Sequence, residues 1–324
     1  MSHKLTSHNL TSRNLMSPAK LASPRTTFRR VALFALAASL STFVSAQTPA
    51  PAPATIATAP TQTPPFNGIA HIAIRVKDIA ASVAFYNKLG YQQAFANTSA
   101  DGTVTQSFVK LDDRQYIELY PVSPRDAQVG FLHLCFEGAD LVGIHDFYVA
   151  EGLTPISVRT AGAGNLLFTL KGPQQPTFAQ NIEYTQYMPG SKHTLEFGKL
   201  NGPDRVADKM TVVVLAMQDP AAAKAFYLDK LGFTASKSDP MLLNLPGTSA
   251  EQVDIVPVDP LGPKSSIILI TPDLNKSAAQ LTRQQVEFKR ASASATDSSG
   301  KTHTIDMISV TDPDGNIIRI QAAH

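Results

Sequence analysis

The sequence predicts an α+β fold in which four βαβββ units pair into two domains with cup-shaped, mainly antiparallel sheets. The first observation is an internal repeat, in which a strand-like segment and the helix-like segment after it recur 141 residues later, from residue 71 to residue 212. The second is that segments with strand character follow each helix-like segment, so that helices would cover one face of each sheet. The third is the length of 324 residues, which suggests about two domains of roughly 150 residues each.

The first 65 residues are predicted to lie outside this fold. Arg25, Arg29 and Arg30 precede an apolar run from Val31 to Val44, and small residues at 44–46 suit cleavage by a signal peptidase. We therefore interpret residues 1–46 as a signal peptide, and the uncharged Ala/Pro/Thr-rich residues 47–65 as a tether. We expect export to the periplasm or the medium, with cleavage near Ala46. The apolar run is short for a transmembrane helix, and cleavage would remove it, so no membrane span would remain. Both ordinary secretion and twin-arginine export remain open.

The first unit opens with residues 71–78 (HIAIRVKD), which predict a strand that leads into a helix ending near Gly90. The third unit repeats this with residues 212–219 (VVVLAMQD) and a helix ending near Gly232. Each opening segment ends in an aspartate, a residue that caps helix N-termini, and glycine suits the left-handed residue that ends a helix. These two segments therefore predict equivalent strand–helix pairs.

The second unit opens with a strand at 131–136 and a helix after Asp140, and the fourth with a strand at 266–270 and a helix after Asp273. The closing segments with strand character are 105–111, 115–122, 166–170, 181–187, 241–245, 252–258, 304–310 and 316–321. We place the first domain at 66–190, a linker at 191–206 and the second domain at 207–324. Because the units pair within one chain, we expect a monomer.

Composition indicates no macromolecular partner. The formal net charge is +2, and Lys and Arg do not cluster in the folded part, so nucleic-acid binding has no electrostatic basis. Cys135 is the single cysteine of the chain, which excludes an internal disulfide. The expected partner is a small-molecule substrate.

Two histidines and two glutamates occupy matching places in the first two units. Alternate residues of a strand share a face, so His71 and His133 on the opening strands would lie opposite the apolar, helix-covered face. Glu118 and Glu183 hold the same position on the closing strands. Two imidazoles and two carboxylates in one cup suit a divalent metal. Two ordinary strand histidines, each hydrogen-bonded to a glutamate, would explain the pattern as well.

The sequence resembles the vicinal oxygen chelate superfamily, which includes glyoxalase I, bleomycin-resistance proteins, methylmalonyl-CoA epimerases and extradiol dioxygenases. The resemblance spans residues 66 to 324. The segments that carry it are 68–76 (GIAHIAIRV), 84–86 (AFY), 89–91 (LGY), 116–119 (YIEL), His133, 181–183 (NIE) and 312–316 (DPDGN).

The resemblance implies glyoxalase-like domains, the first holding one divalent ion (zinc, nickel, cobalt, manganese or iron) on His71, Glu118, His133 and Glu183. In the family's isomerases, such an ion chelates two neighbouring oxygens and a ligand glutamate moves a proton. Glu183 is our first candidate for that base, and Glu118 the second. Tyr116 and Arg75 share the ligand face and are candidates for substrate contact.

The second domain departs from this pattern. Val212 stands where the first domain has His71, Asp254 replaces Glu118, and Arg319 replaces Glu183. The position of His133 is taken by Ser266 or Ile267. Because a guanidinium repels a cation, we predict a degenerate, metal-free cup in which Arg319 pairs with Asp254.

Three classes of function stay open. The ligand set favours an isomerase, lyase or epimerase. Dioxygenases of the family have a different set of metal ligands, two histidines and one glutamate, usually in the second domain. Non-catalytic binding or sequestration of a small molecule is the third class, and its members in the family usually lack the metal set. The substrate does not follow from the fold.

Overall fold

The computed structural model describes residues 62–175, 179–237, 239, 241–258, 265–296 and 300–323. The predicted signal peptide and residues 47–61 of the predicted tether lie outside the described residues. At the end of that tether, the hydroxyl of Thr63 donates a hydrogen bond of 3.2 Å to the carbonyl oxygen of Leu231. The described chain thus begins in contact with the second domain.

The first domain is an eight-stranded mixed sheet with two helices. Its elements are β1 (Phe66–Val76), α1 (Ile79–Lys88), β2 (Gln93–Thr98), β3 (Val104–Lys110), β4 (Tyr116–Pro121), β5 (Gly130–Gly138), α2 (Leu141–Ala150), β6 (Arg159–Thr160), β7 (Leu166–Gln174) and β8 (Ala179–Gln186). The strand order is β2-β3-β4-β1-β5-β8-β7-β6. β1 runs parallel to β4 and antiparallel to β5, which in turn runs parallel to β8.

The second domain repeats this topology. A short helix, α3 (Lys192–Leu195), precedes it. Its elements are β9 (Lys209–Met217), α4 (Pro220–Leu231), β10 (Thr234–Ala235), β11 (Leu242–Asn244), β12 (Gln252–Pro257), β13 (Ser265–Thr271), α5 (Leu274–Arg283), β14 (Phe288–Thr296), β15 (Thr302–Thr311) and β16 (Ile317–Ala322). The order β10-β11-β12-β9-β13-β16-β15-β14 matches that of the first sheet strand for strand. The predicted α+β fold with two repeated domains is therefore confirmed.

Local signals place the helices as predicted. The side chain of Asp78 accepts a hydrogen bond of 3.1 Å from the Ala81 backbone N–H, and Asp219 accepts one of 3.0 Å from Ala222. Gly232 ends α4 in the left-handed conformation, with φ of 76°. The aspartate caps satisfy backbone N–H groups that the first helical turn leaves free, and the left-handed glycine ends the helix where the chain turns back to the sheet.

The sequence does not predict the strand that directly follows each of α1, α2, α4 and α5. These strands, β2, β6, β10 and β14, are the edges of the two sheets. Edge strands have solvent on at least one side, so their sequences need not show the alternation of apolar and polar residues that marks a half-buried strand.

The apolar faces of the two sheets form one continuous core. The ring of Phe66 in β1 lies 5.9 Å, centroid to centroid, from that of Phe233 in the second domain. The side chain of Gln115 binds the backbone of Met210 through two hydrogen bonds, of 2.7 and 2.8 Å. Among the described residues, the longest helix, α4, has 12 residues, and none is long and apolar enough to cross a membrane.

Candidate metal centre

Four neighbouring strands present the four predicted ligands. Ala73 in the central strand β1 lies opposite Glu118 in β4 and opposite His133 in β5. Two residues away, His71 lies opposite Cys135, which lies opposite Glu183 in β8. Because alternate residues share a face, these pairings place all four side chains on the same side of the sheet. That side is opposite the one on which Ile72 and Ile74 enter the apolar core.

The four side chains converge. The Nε2 atoms of His71 and His133 are 3.1 Å apart. Oε2 of Glu118 lies 3.2 Å from Nε2 of His71 and 3.3 Å from Nε2 of His133. Oε1 of Glu183 lies 3.4 Å from Nε2 of His71. Candidate ligand atoms of His71, His133 and Glu183 all lie within 4.8 Å of one another.

The charge of Glu118 and the charges of the two histidines depend on one another. Burial disfavours the charged carboxylate of Glu118, but His71 and His133 outweigh burial and hold the pKa of that carboxyl well below its usual range. Burial likewise disfavours a charged His71, yet Cys135 and Glu118 raise the pKa of His71 well above its usual range. A positive charge at the imidazole nitrogens therefore stabilises the buried carboxylate of Glu118.

The residues fit a bound divalent cation. Oε2 of Glu118 is buried without a hydrogen-bond partner, although both imidazole nitrogens are close to it. Nε2 of His71, Nε2 of His133 and Oε2 of Glu118 make three mutual contacts. One shared proton can form a hydrogen bond in only one of these contacts, whereas a central cation would bind all three atoms. Nitrogen and carboxylate oxygen are also the donors that zinc and several other transition metals accept, at about 2.0–2.2 Å.

A cavity of about 110 Å³ opens at this cluster. His71, Glu118 and Glu183 form part of its wall. The rest combines polar groups with a few apolar ones: Asn97, Gln106, Phe108, Tyr120, Arg159, Ala161, Gly162, Ala163, Asn165, Leu167 and His193. A cavity of this size would enclose a small molecule, or only the reacting end of a large one.

The structure places neither Tyr116 nor Arg75 at the cavity. Tyr116 lies on the expected side of the sheet, but it is fully buried and its ring is covered by that of His193, 5.0 Å away. The guanidinium of Arg75 is held 3.0 Å from Oδ2 of Asp126. Strand alternation predicts the correct face for both residues. It does not predict which side chains are covered or bound by later parts of the chain.

His193 is one of several cavity residues that the sequence did not indicate. It lies in residues 191–206, which we interpreted as a linker, and no strand or helix periodicity surrounds it. In the structure this segment packs onto the first sheet: the backbone N–H of Lys192 donates to the carbonyl oxygen of Ala163 at 2.8 Å. The one local signal is Ser191, whose side chain caps α3.

The second cup carries a different set of side chains. Val214 lies opposite both Asp254 and Ser266, just as Ala73 lies opposite both Glu118 and His133, so Ser266 is the equivalent of His133. Arg319 donates a hydrogen bond to the hydroxyl of Ser266. The predicted ion pair between Arg319 and Asp254 is not formed among the described side chains, although Arg319 still counteracts the rise in the pKa of Asp254 that burial causes. Within the described ranges, the second cup has no group of possible metal ligands comparable to that of the first.

Comparison with protein families identifies both domains. A model of the Glyoxalase/Bleomycin resistance protein/Dioxygenase superfamily matches residues 70–169, and a second model with the same description matches residues 209–320. Together the two matches cover more than half of the chain. A comparison with curated protein sequences finds no match.

Solved structures share the fold. The Mn(II)-bound glyoxalase from Novosphingobium aromaticivorans aligns with a TM-score of 0.58 at 15% identity, over 80% of this chain and 82% of its own. The 2,3-dioxygenase LapB from Pseudomonas sp. KL28 aligns with a TM-score of 0.57 at 14% identity, over 81% and 93%. Homoprotocatechuate 2,3-dioxygenase from Arthrobacter globiformis gives 0.57 at 15% identity, over 82% of each chain. At these identities the similarity is one of fold.

Proposed function

Because the chain belongs to the Glyoxalase/Bleomycin resistance protein/Dioxygenase superfamily, we propose that its first domain is a metal-dependent enzyme of the glyoxalase type. Its substrate would be a small molecule with two neighbouring oxygens, and its reaction a proton transfer, as in an isomerase, lyase or epimerase. The observation that carries the proposal is the convergence of two imidazoles and two carboxylates at one polar cavity.

His71, His133, Glu118 and Glu183 would hold the ion. A bound divalent ion supplies Lewis-acid stabilisation of negative charge on neighbouring substrate oxygens. The protein must then provide a base close to the substrate, in a cavity that excludes most water. The two glutamates are the carboxylates that line the cavity.

The two glutamates differ in how tightly they are held. Oε2 of Glu118 lies close to both imidazoles, and its side chain is 4% exposed. Oε1 of Glu183 lies 3.4 Å from Nε2 of His71, and the side chain of Glu183 is 12% exposed and lines the cavity. A base has to reach the substrate proton, so the freer carboxylate is better suited. We therefore assign proton transfer to Glu183 and a positioning role to Glu118.

A dioxygenase is the second candidate. The candidate ligand atoms of His71, His133 and Glu183 lie within 4.8 Å of one another, and these residues form a set of two histidines and one carboxylate. That set with open positions is typical of non-haem iron(II) oxygenases. The two candidates differ in the part played by Glu118: a proton-transfer site uses both carboxylates, whereas an oxygenase site would keep one out of the coordination sphere.

The experiment compares turnover with a redox-inert and a redox-active metal. The metal-free protein is loaded with zinc or with iron(II) and assayed with 2-oxoaldehyde hemithioacetals, 2-acyl thioesters and catechols, with and without oxygen. For proton transfer we expect turnover of one of the first two classes that persists with zinc and without oxygen, and a loss of about 100-fold or more in kcat for Glu183→Gln.

Oxygen-consuming cleavage of a catechol, seen only with iron, would replace this proposal by the dioxygenase. Binding of a substrate without turnover under any metal would instead favour sequestration. The matched control is Glu151→Gln at the end of α2, whose carboxylate lies 3.6 Å from Nζ of Lys230 and does not line the cavity. This variant should leave kcat unchanged.

The proposal includes export. The arginines and the apolar run before Ala46 motivate it, because they have the layout of a secretory signal. Mass spectrometry of the protein recovered outside the cytoplasm should show a mature chain that begins at Gln47. A cytoplasmic protein that retains residues 31–44 would contradict this part of the proposal and would leave the metal chemistry untouched.

A further inference from the structure

His193 is a buried histidine whose imidazole has no hydrogen-bond partner. The residue is 2% exposed, and both Nδ1 and Nε2 lack a partner among the described residues. Leaving a buried donor or acceptor unpaired costs free energy, so native structures rarely leave both nitrogens of one ring unsatisfied. His193 also lines the cavity, together with the metal-cluster residues Glu118 and Glu183.

The ring is held in place by aromatic side chains. It stacks on Tyr187 at 4.4 Å between ring centroids, with an interplanar angle of 14°. Phe95 and Tyr116 meet it edge-on at 4.9 and 5.0 Å. These contacts fix the plane of the imidazole but use neither of its nitrogens.

The segment that carries His193 is anchored on both sides. Before it, the ammonium of Lys192 donates to Oδ1 of Asn97 at 2.6 Å and to the carbonyl oxygen of Ala96 at 3.1 Å. After it, the buried ammonium of Lys110 donates to the carbonyl oxygens of Glu196 and Lys199. Several polar contacts therefore hold an unpaired imidazole at the cavity. A residue that only filled space would not require them.

We propose that His193 contacts the substrate, donating the N–H of a neutral imidazole to an oxygen of the molecule bound at the metal cluster. This inference rests on the proposed function, since it assumes a ligand at that cluster. The surroundings keep the ring neutral: burial lowers the pKa of His193 to about 3. A neutral imidazole adds directional recognition of an oxygen without adding a second positive charge beside the ion.

The test measures binding of a small probe with two neighbouring oxygens, acetohydroxamate, to the zinc-loaded full chain. Loss of one hydrogen bond weakens binding by about 3- to 10-fold. We expect this increase in Kd for His193→Phe, which keeps an aromatic ring in the box but removes both nitrogens. His193→Gln, which restores an N–H donor, should recover part of the affinity. His145→Gln, on the outer helix α2, is the matched control and should bind as the wild type does.

A spectroscopic measurement separates contact from packing. The imidazole ¹⁵N resonances that disappear in His193→Phe belong to His193, and in the wild type they should shift when acetohydroxamate is added. An unchanged Kd in His193→Phe, or ¹⁵N resonances that do not move, would overturn the inference. Loss of zinc from both His193 variants would overturn it as well, because His193 would then act on the metal. A wild type that binds no zinc would remove the proposed function itself, which is a distinguishable result.

Discussion

His133→Ala is expected to abolish stoichiometric metal binding by the chain. The wild type should bind one divalent ion, and the variant should bind it at least about 100-fold more weakly, since even partners that only orient a ligand contribute 10- to 100-fold. The reason is geometric: Nε2 of His133 lies 3.1 Å from Nε2 of His71 and 3.3 Å from Oε2 of Glu118, so no other side chain can take its place without moving the cluster. Competition against a chelating indicator measures the affinity, and elemental analysis the stoichiometry.

The control is His145→Ala, which removes a histidine that lies beside Asp146 on α2 and outside the cluster. It should retain one equivalent. Zinc should also raise the unfolding temperature of the wild type and of this control, but not that of His133→Ala, because a ligand stabilises only a state that binds it. Two equivalents in the wild type would show that the second domain also binds metal, against the expectation from Arg319 and Ser266. Wild-type affinity in His133→Ala would refute the site.

Much of this arrangement follows from short-range patterns in the sequence. The repeat at residues 71–78 and 212–219 predicts two copies of one domain, because equal patterns of alternation and capping give equal strand–helix pairs. Within a strand, side-chain direction alternates strictly, so the face of His71 and of Glu118 is decided by their apolar neighbours. Each such prediction depends on a few adjacent residues, and these are the ones that the structure bears out.

The contents of the cavity depend on contacts that are distant in sequence. His193 reaches the cavity because residues 191–206 fold back over the first sheet, and no local periodicity marks this path. The same return covers Tyr116, which alternation alone would leave open to a substrate. Arg319 shows a third case: its charge predicts an acidic partner, but the hydroxyl of Ser266 on the neighbouring strand is what it binds. Faces can be read from a sequence, whereas the choice among several possible partners requires coordinates.

Lys110→Met is expected to destabilise the first domain by about 3 kcal/mol. The side chain of Lys110 is fully buried at the end of β3, and its ammonium donates to Oδ1 of Asp113 at 2.8 Å and to backbone carbonyl oxygens of the segment after α3. Removing one partner of a buried ionic network costs about 3–5 kcal/mol, because the remaining groups lose their compensation. Asp113 is half exposed, which places the expected loss at the lower end. Urea denaturation gives the free energy of unfolding.

Lys199→Met is the matched control for this variant. Its ammonium lies 3.4 Å from Oε1 of Glu196 and its side chain is 58% exposed, so the pair should contribute less than about 1 kcal/mol. The two variants should also differ at the cavity. Lys110→Met releases the carbonyl oxygens that anchor the chain after His193, so it should weaken acetohydroxamate binding as His193→Phe does, while zinc stays bound. Equal stability of the two lysine variants would show that the buried ammonium does not hold this segment, and the positioning of His193 would then depend on its aromatic neighbours and on the hydrogen bonds of Lys192.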